Sequence, residues 1–164
     1  MVEFSLRPAT LEDIPIVLEL IKALAEYEHL SHAVTGNACQ LQEHLFGSRA
    51  YAEVILAESK GETIGFALFW HNYSTFLTQP GIHLEDLFVV PEFRGKGVGK
   101  ALLTYLANLA VERDCGRLEW HVLDWNKSAI NFYEKMGASI LPDWRICRVS
   151  GDSLNKLAKL KPLF

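Results

Sequence analysis

Residues 84–100, LEDLFVVPEFRGKGVGK, set the tightest limits on this chain. An apolar strand stops at Pro91, which cannot donate a ladder hydrogen bond. The chain then crosses a glycine-rich turn and enters a helix patterned by Val98, Leu102, Leu103, Leu106 and Leu109. Gly95, Gly97 and Gly99 let the turn backbone approach a ligand closely and aim its N–H groups at one point. Those groups open a helix, whose orphan donors and positive dipole end favour an anion. Arg94 and Lys100 add positive charge around them. The segment reads as a pyrophosphate cradle spanning Leu87, Phe88 and Val89 at the strand end and Arg94, Gly95, Lys96, Gly97, Val98, Gly99 and Lys100 in the turn.

Two familiar phosphate loops do not fit. A P-loop needs Gly-Lys followed by Ser or Thr for magnesium, and here Lys100 precedes Ala101. A dinucleotide fingerprint, G-x-G-x-x-G, places its last glycine where this chain has Lys100. What remains is R-x-x-G-x-G after a strand, which resembles the phosphate-binding motif of the GNAT N-acetyltransferase superfamily. The plainer alternative is an ordinary strand-to-helix turn.

A second motif follows about one strand later, W-N-x-x-A-x-x-x-Y-x-x-x-G-A, running from Trp125 through Tyr133 to Ala138. Asn126 is a good N-cap, and Lys127, Ser128 and Ala129 form the first helical turn behind it. Tyr133 lies seven residues on and returns to the same face two turns later. Alone this is a core stripe with a tyrosine hydroxyl. In this order after the cradle it is similar to the second acetyl-CoA motif of the same superfamily.

Composition agrees with a small enzyme. The 164 residues, 49% hydrophobic, suit one domain spanning 1–164 with a sizeable core, and no linker or repeat interrupts them. A net charge of −4 argues against a nucleic-acid partner and leans towards a cationic substrate. Cys39, Cys115 and Cys147 are odd in number and widely spaced, and the six histidines form no ligand pair, so neither a disulfide framework nor a metal site is expected. With no signal-like N-terminus and no apolar run long enough to cross a bilayer, no membrane association and a reducing, cytoplasmic location are expected.

Hydrophobic periodicity predicts a strand over Glu3–Arg7 and a helix from a capping-box-like Thr10/Asp13 start to about Glu28. A shorter helix is expected between Asn37 and Phe46, then strands Tyr51–Glu58 and Thr63–Trp70 around a Lys60-Gly61 turn. A loop Asn72–Gly81 leads into the strand before the cradle. Arg117–Leu123 reads as a strand, Asn126–Met136 as a helix ended by Gly137, and Trp144–Val149 as a strand before a short final helix. The mixture points to an α/β or α+β fold around one sheet.

Arg7-Pro8-Ala9-Thr10, residues 21–28, Leu84-Glu85-Asp86 and Asn131-Phe132-Tyr133 extend the likeness to the diamine (spermidine/spermine) and thialysine N-acetyltransferase branch. That resemblance implies a central mixed, mostly antiparallel sheet flanked by helices, acetyl-CoA as cosubstrate, a small amine as acceptor and a homodimer. It also implies Tyr133 as the general acid for the departing thiolate, which its ordinary pKa of ~10 permits.

An alkylamine with a pKa near ~10.4 is protonated at neutral pH and must lose a proton before attacking a thioester. Glu85, ending its strand just before the cradle, is the candidate base, and a backbone N–H at Phe88 or a neighbour would meet the oxyanion. With no cysteine in either motif, direct attack in a ternary complex is expected over an acetyl-enzyme. By resemblance Tyr27, Glu28, Glu85, Asp86, Glu119, Trp120, His121 and Trp144 lie near the amine. Alternation puts Glu85 and Asp86 on opposite faces unless the strand is bulged, which ranks Asp86 below Glu85.

Polyamine-acetylating members tend to have an acid where this chain has Ser74, and a longer acidic segment than Pro142-Asp143-Trp144. Tyr73-Ser74-Thr75 and Leu123-Asp124-Trp125-Asn126 look more like the thialysine subgroup. A shorter or lysine-like amine is therefore as well supported as a polyamine. A protein lysine or N-terminal acetyltransferase and a silent acyl-CoA sensor remain as rival classes.

Overall fold

The computed structural model describes residues 2–160, which divide into two compact units, one through Leu123 and one from Asp124. The first unit is built on strands β1 (Ser5–Pro8), β2 (Glu53–Ser59), β3 (Glu62–Ser74), β4 (Gln79–Val89) and β5 (Leu118–Trp120), ordered β1-β2-β3-β4-β5. The first three pairings are antiparallel and β4–β5 is parallel, so the sheet is mixed and mostly antiparallel, as expected. Lys60 and Gly61 turn β2 into β3 with φ of 52° and 81°, the left-handed pair that a two-residue hairpin needs.

The β3–β4 connection is shorter than its composition indicates. Asn72, Tyr73 and Ser74 pair with Gly81, Pro80 and Gln79, so the expected ten-residue loop contracts to residues 75–78. Pro80 falls at the second residue of its strand, where losing one donor shortens the ladder without ending it.

Helices α1 (Ile14–Tyr27) and α2 (Ala38–Phe46) cover one sheet face, and α3 (Val98–Glu112) carries the parallel crossover from β4 to β5. Ile14, Val17, Leu20 and Leu24 of α1 and Leu45 of α2 pack with Val54, Leu56, Phe66 and Phe88. The alternate strand residues Ile55, Ala57, Ala67, Phe69, Ile82 and Leu84 are also buried, as are Val98, Leu102, Leu103, Leu106 and Ala110 of α3, which packs on the sheet.

The entry to α1 is tied to the sheet by charge. Asp13 closes a capping box with Thr10, accepting from its backbone N–H at 2.7 Å. The Arg7 guanidinium donates to both Asp13 oxygens at 2.6 and 2.8 Å and to Glu58 at 2.6 Å. This bridge holds the Asp13 carboxyl well below the usual carboxylate range, so its stabilisation is full above about pH 4 and is lost as pH falls below that. Arg7→Gln should cost about 1–2 kcal/mol near neutral pH in urea melts, a deficit that shrinks in strong acid. An unchanged midpoint would show that the bridge contributes nothing.

The second unit contains α4 (Lys127–Lys135) and α5 (Gly151–Ala158). Gly137, at φ 94°, ends the α4 segment, and the Ala138 N–H returns to the Tyr133 carbonyl at 3.0 Å. The strand expected at Trp144–Val149 is not formed: residues 138–150 are irregular, and Trp144, Ile146 and Val149 are exposed. Trp144, Ile146 and Val149 are residues that suit a strand, but a strand also needs a paired edge, and this segment has none among the described residues. β5 likewise pairs over three residues and stops at Trp120, short of the predicted Leu123.

Candidate active site

The centre of the site is an irregularity in β4. Leu68 and Phe69 are adjacent in β3, yet their partners are Asp86 and Leu84, so Glu85 is an extra residue with no opposite number. This bulge breaks the alternation. Asp86 shares the face of Leu68 and Trp70, and the Trp70 indole N–H donates to the Glu85 carboxylate at 3.1 Å. The two acids therefore occupy one face, and the bulge removes the alternation argument that set Asp86 below Glu85.

Their environments differ. The Glu85 side chain is 53% exposed, with the buried His83 ring nitrogen 3.8 Å away. Asp86 is mostly enclosed. Burial above all, then the nearby charges of Glu85 and Glu28, raise its pKa from 3.8 to about 7. Burial also raises Glu28, just past the end of α1.

After Leu84, β4 loses its partner on the β5 side, since β5 pairs only with Ile82, His83 and Leu84. Leu87, Phe88 and Val89 thus have a strand neighbour on the β3 side alone among the described residues. The open edge runs into the turn before α3. Gly95 and Gly97 sit at φ 71° and 92°, and Gly97 is the N-cap of α3. No atom lies within 4 Å of where a Cβ would stand on either. The first helical acceptor is Gly97 O, taken by Ala101, so the N–H groups of Val98, Gly99 and Lys100 have no acceptor within the helix.

Arg94 is a brace as well as a charge. Its Nε donates to the Val89 carbonyl at 2.9 Å, and its guanidinium lies 4.4 Å from the Tyr27 ring centre and 5.4 Å from that of Phe88. Tyr27 and Glu28 are thereby set beside the strand end and the cradle. Lys96 lies over Phe93 at 5.1 Å, and Lys100 is exposed in the first turn of α3.

Pairing across the sheet also brings residues that carry no motif, Trp70, Asn72, His83 and Arg117, up to the expected Glu119 and His121. Trp70 opposes His83, which opposes Glu119; one row further, Asn72 opposes Gly81 beside Arg117. Trp70 and His83 rings are 4.8 Å apart, and the His121 ring packs against His83 at 4.9 Å, tilted by 56°. Glu119 accepts from the Asn72 amide and pairs with Arg117 Nη2 at 3.2 Å. Gly81 is required here, because a Cβ would collide with Asn72 and come within 3.0 Å of the Arg117 stem. Trp120 ends β5, half-buried. Trp70 and His83 carried no motif; only strand register brings them to the acids.

In the second unit Asn126 caps α4, accepting from Ala129 N–H at 3.2 Å, with Lys127 and Ser128 exposed in the first turn. Tyr133 is buried at 8% exposure, its ring 5.2 Å from Phe132. Trp144 is 74% exposed in the irregular segment.

The family model for the acetyltransferase (GNAT) family matches residues 18–138, from α1 across both units. The chain belongs to the GNAT acetyltransferase family. This acetyltransferase is 34% identical to L-ornithine N5-acetyltransferase of Arabidopsis thaliana, over 94% of its own length and 88% of that protein's. It is also 34% identical to the thialysine N-epsilon-acetyltransferase of Mus musculus, over 96% and 99% of the two chains. Among solved structures, an integron cassette protein from the V. cholerae mobile metagenome matches with a TM-score of 0.78 and 26% identity, over 98% of this chain and 100% of that one.

Enzymes of this family use acetyl-CoA. The open β4 edge, the unfilled space above Gly95 and Gly97, and the orphan donors of α3 suit an extended amide-bearing arm ending in a pyrophosphate.

Proposed function

We propose that this protein is an acetyl-CoA-dependent N-acetyltransferase that acetylates the terminal primary amine of a small lysine-like or diamine acceptor, by direct attack in a ternary complex. The observation that best supports this reading is the β4 bulge, which sets Asp86, its pKa raised to about 7, beside Glu85 on the strand that leads into the glycine turn. The relatives named for ornithine and thialysine support an acceptor of that size.

In this reading the two acids divide the work. Glu85, exposed and steered by Trp70, draws in the ammonium; Asp86, with its pKa near working pH, receives the proton. The free amine lone pair attacks the thioester carbonyl, and an unpaired N–H on the β4 edge near Phe88 meets the developing oxyanion. The Lys96, Gly97, Val98 and Gly99 backbone takes the pyrophosphate, and Asn126 to Ala129 complete the cofactor contacts that the second motif implies. As the zwitterionic tetrahedral intermediate collapses, the carbon–sulfur bond breaks and Tyr133, the general acid that the second motif implies, gives its phenolic proton to the thiolate, while the extra proton that the nitrogen sheds on becoming an amide passes through solvent and restores the phenol.

Tyr133→Phe should lower kcat by about 10²-fold or more while leaving acetyl-CoA affinity within a few-fold. Unchanged turnover would remove Tyr133 from the chemistry. Direct attack is checked by intact mass: the protein held with acetyl-CoA and no amine should stay unmodified, and a stoichiometric acetyl adduct would mean an acetyl-enzyme instead.

A further inference from the structure

The acidic face is not uniformly acidic. Beyond His83 it carries Arg117, whose side chain is 39% exposed and pairs with the 38% exposed Glu119 at 3.2 Å. Positive and negative groups therefore stand side by side on the sheet face that holds Glu85 and Asp86. A site built for a bare polycation has no use for a guanidinium there, since it repels an ammonium group. An α-amino acid head presents the matching arrangement, a carboxylate next to an ammonium.

Spacing supports the match. Glu119 lies in the row of His83 and Trp70, and Asp86 in the row of Leu68, two residues away along β3. Two residues of strand span ~7 Å, and Glu119 stands one strand over on β5, ~4.8 Å across, so the backbone positions are ~8 Å apart before either acidic side chain reaches in. A chain of three or four methylenes covers ~5–6 Å between its end groups. His83 bridges the interval: it is 6% exposed and within electrostatic range of Glu85, Glu119, Arg117 and His121 together. Burial above all lowers its pKa, against the opposing pull of Glu85 and Glu119, which favours an uncharged His83 ring between the two ends.

We infer that Arg117 and Glu119 form the recognition site for the α-amino-acid head of the acceptor, Arg117 taking the α-carboxylate and Glu119 the α-ammonium, with the aliphatic chain lying over His83 towards Asp86. A guanidinium holds a carboxylate through paired N–H donors, a geometry that an ammonium cannot supply. Asn72 acts as a positioning residue: its amide donates to Glu119 across Gly81 and fixes the carboxylate beside Arg117. The inference rests on the proposed acetylation of a small amine and names its acceptor class, an α-amino acid with a terminal amine.

The test compares L-ornithine, its methyl ester and putrescine as acceptors for the unmodified protein, then for Arg117→Gln and Arg117→Lys. L-Ornithine should exceed putrescine and the ester in kcat/KM at least tenfold. In Arg117→Gln the ornithine-to-putrescine ratio should fall at least tenfold, chiefly through the ornithine KM, with Arg117→Lys in between. Equal use of all three by the unmodified protein would overturn the inference while leaving the acetyltransferase reading intact. So would an Arg117→Gln protein that loses all acceptors in proportion. No acetylation of any small amine would defeat the proposed function itself, and the inference with it.

Discussion

Asp86→Asn should cut kcat by about 10²–10⁴-fold at neutral pH and remove its dependence on a group titrating near 7. At saturating acetyl-CoA and amine, kcat of the unmodified enzyme should fall as pH drops through about 7, because the enclosed Asp86 carboxyl then holds its own proton. The same substitution should make the fold more stable. Asp86 ionises near 3.8 in the unfolded chain and near 7 in the folded one, so the folded state binds the extra proton in between. Its contribution to stability therefore declines from about pH 4 to about pH 7 and is flat above, with a total of roughly 4 kcal/mol. Asp86→Asn should recover much of that in urea melts on the alkaline side. A slow but more stable variant separates loss of chemistry from loss of structure. A variant with full turnover would reassign the base to Glu85 or to a water chain.

Gly97→Val should raise the KM and Kd for acetyl-CoA at least tenfold, equivalent to about 1.4 kcal/mol or more. Two causes act together. At φ 92° a β-branched residue is strained, and its side chain would enter the open space above the turn, where the proposed reading puts the pyrophosphate. Gly61 supplies the control, since it also has positive φ, at 81°, with no atom within 4 Å of a Cβ. Gly61→Val should cost stability of the same order and leave acetyl-CoA affinity as it was. Equal loss of affinity in both variants would mean that strain, not occupation of the cradle, is responsible.

What could be read from the residues alone was local. The cradle announces itself because proline, glycines and the following apolar helix lie within one short segment, and α4 because Asn126 and Gly137 mark its ends. The Thr10/Asp13 box and the Lys60-Gly61 hairpin are legible for the same reason. What depended on register was not. A bulge leaves no mark in LEDLF, since the extra residue is defined only by its partner strand, so the placement of Asp86 beside Glu85 had to await the pairing of β3. Trp70 and His83 lie on neighbouring strands, Arg117 stands just ahead of β5, and they meet only through that pairing. The loop at Asn72–Gly81 was misread through Pro80 and Gly81, one tolerated near a strand end and the other demanded by the Asn72 amide above it. In the tail the reverse holds, since Trp144, Ile146 and Val149 suit a strand but find no edge to join among the described residues.

The most direct test of the central claim is acetyl-CoA-dependent thiol release by the purified protein near neutral pH, with L-ornithine, thialysine, L-lysine, putrescine, spermidine and a lysine-containing peptide offered singly. The bulged acid pair and the anion cradle predict strong release with at least one small terminal amine, weak release with the peptide, and acetylated amine as the product. Release with the peptide alone, or none with any amine despite tight acetyl-CoA binding, would contradict the assignment of this site to small amines.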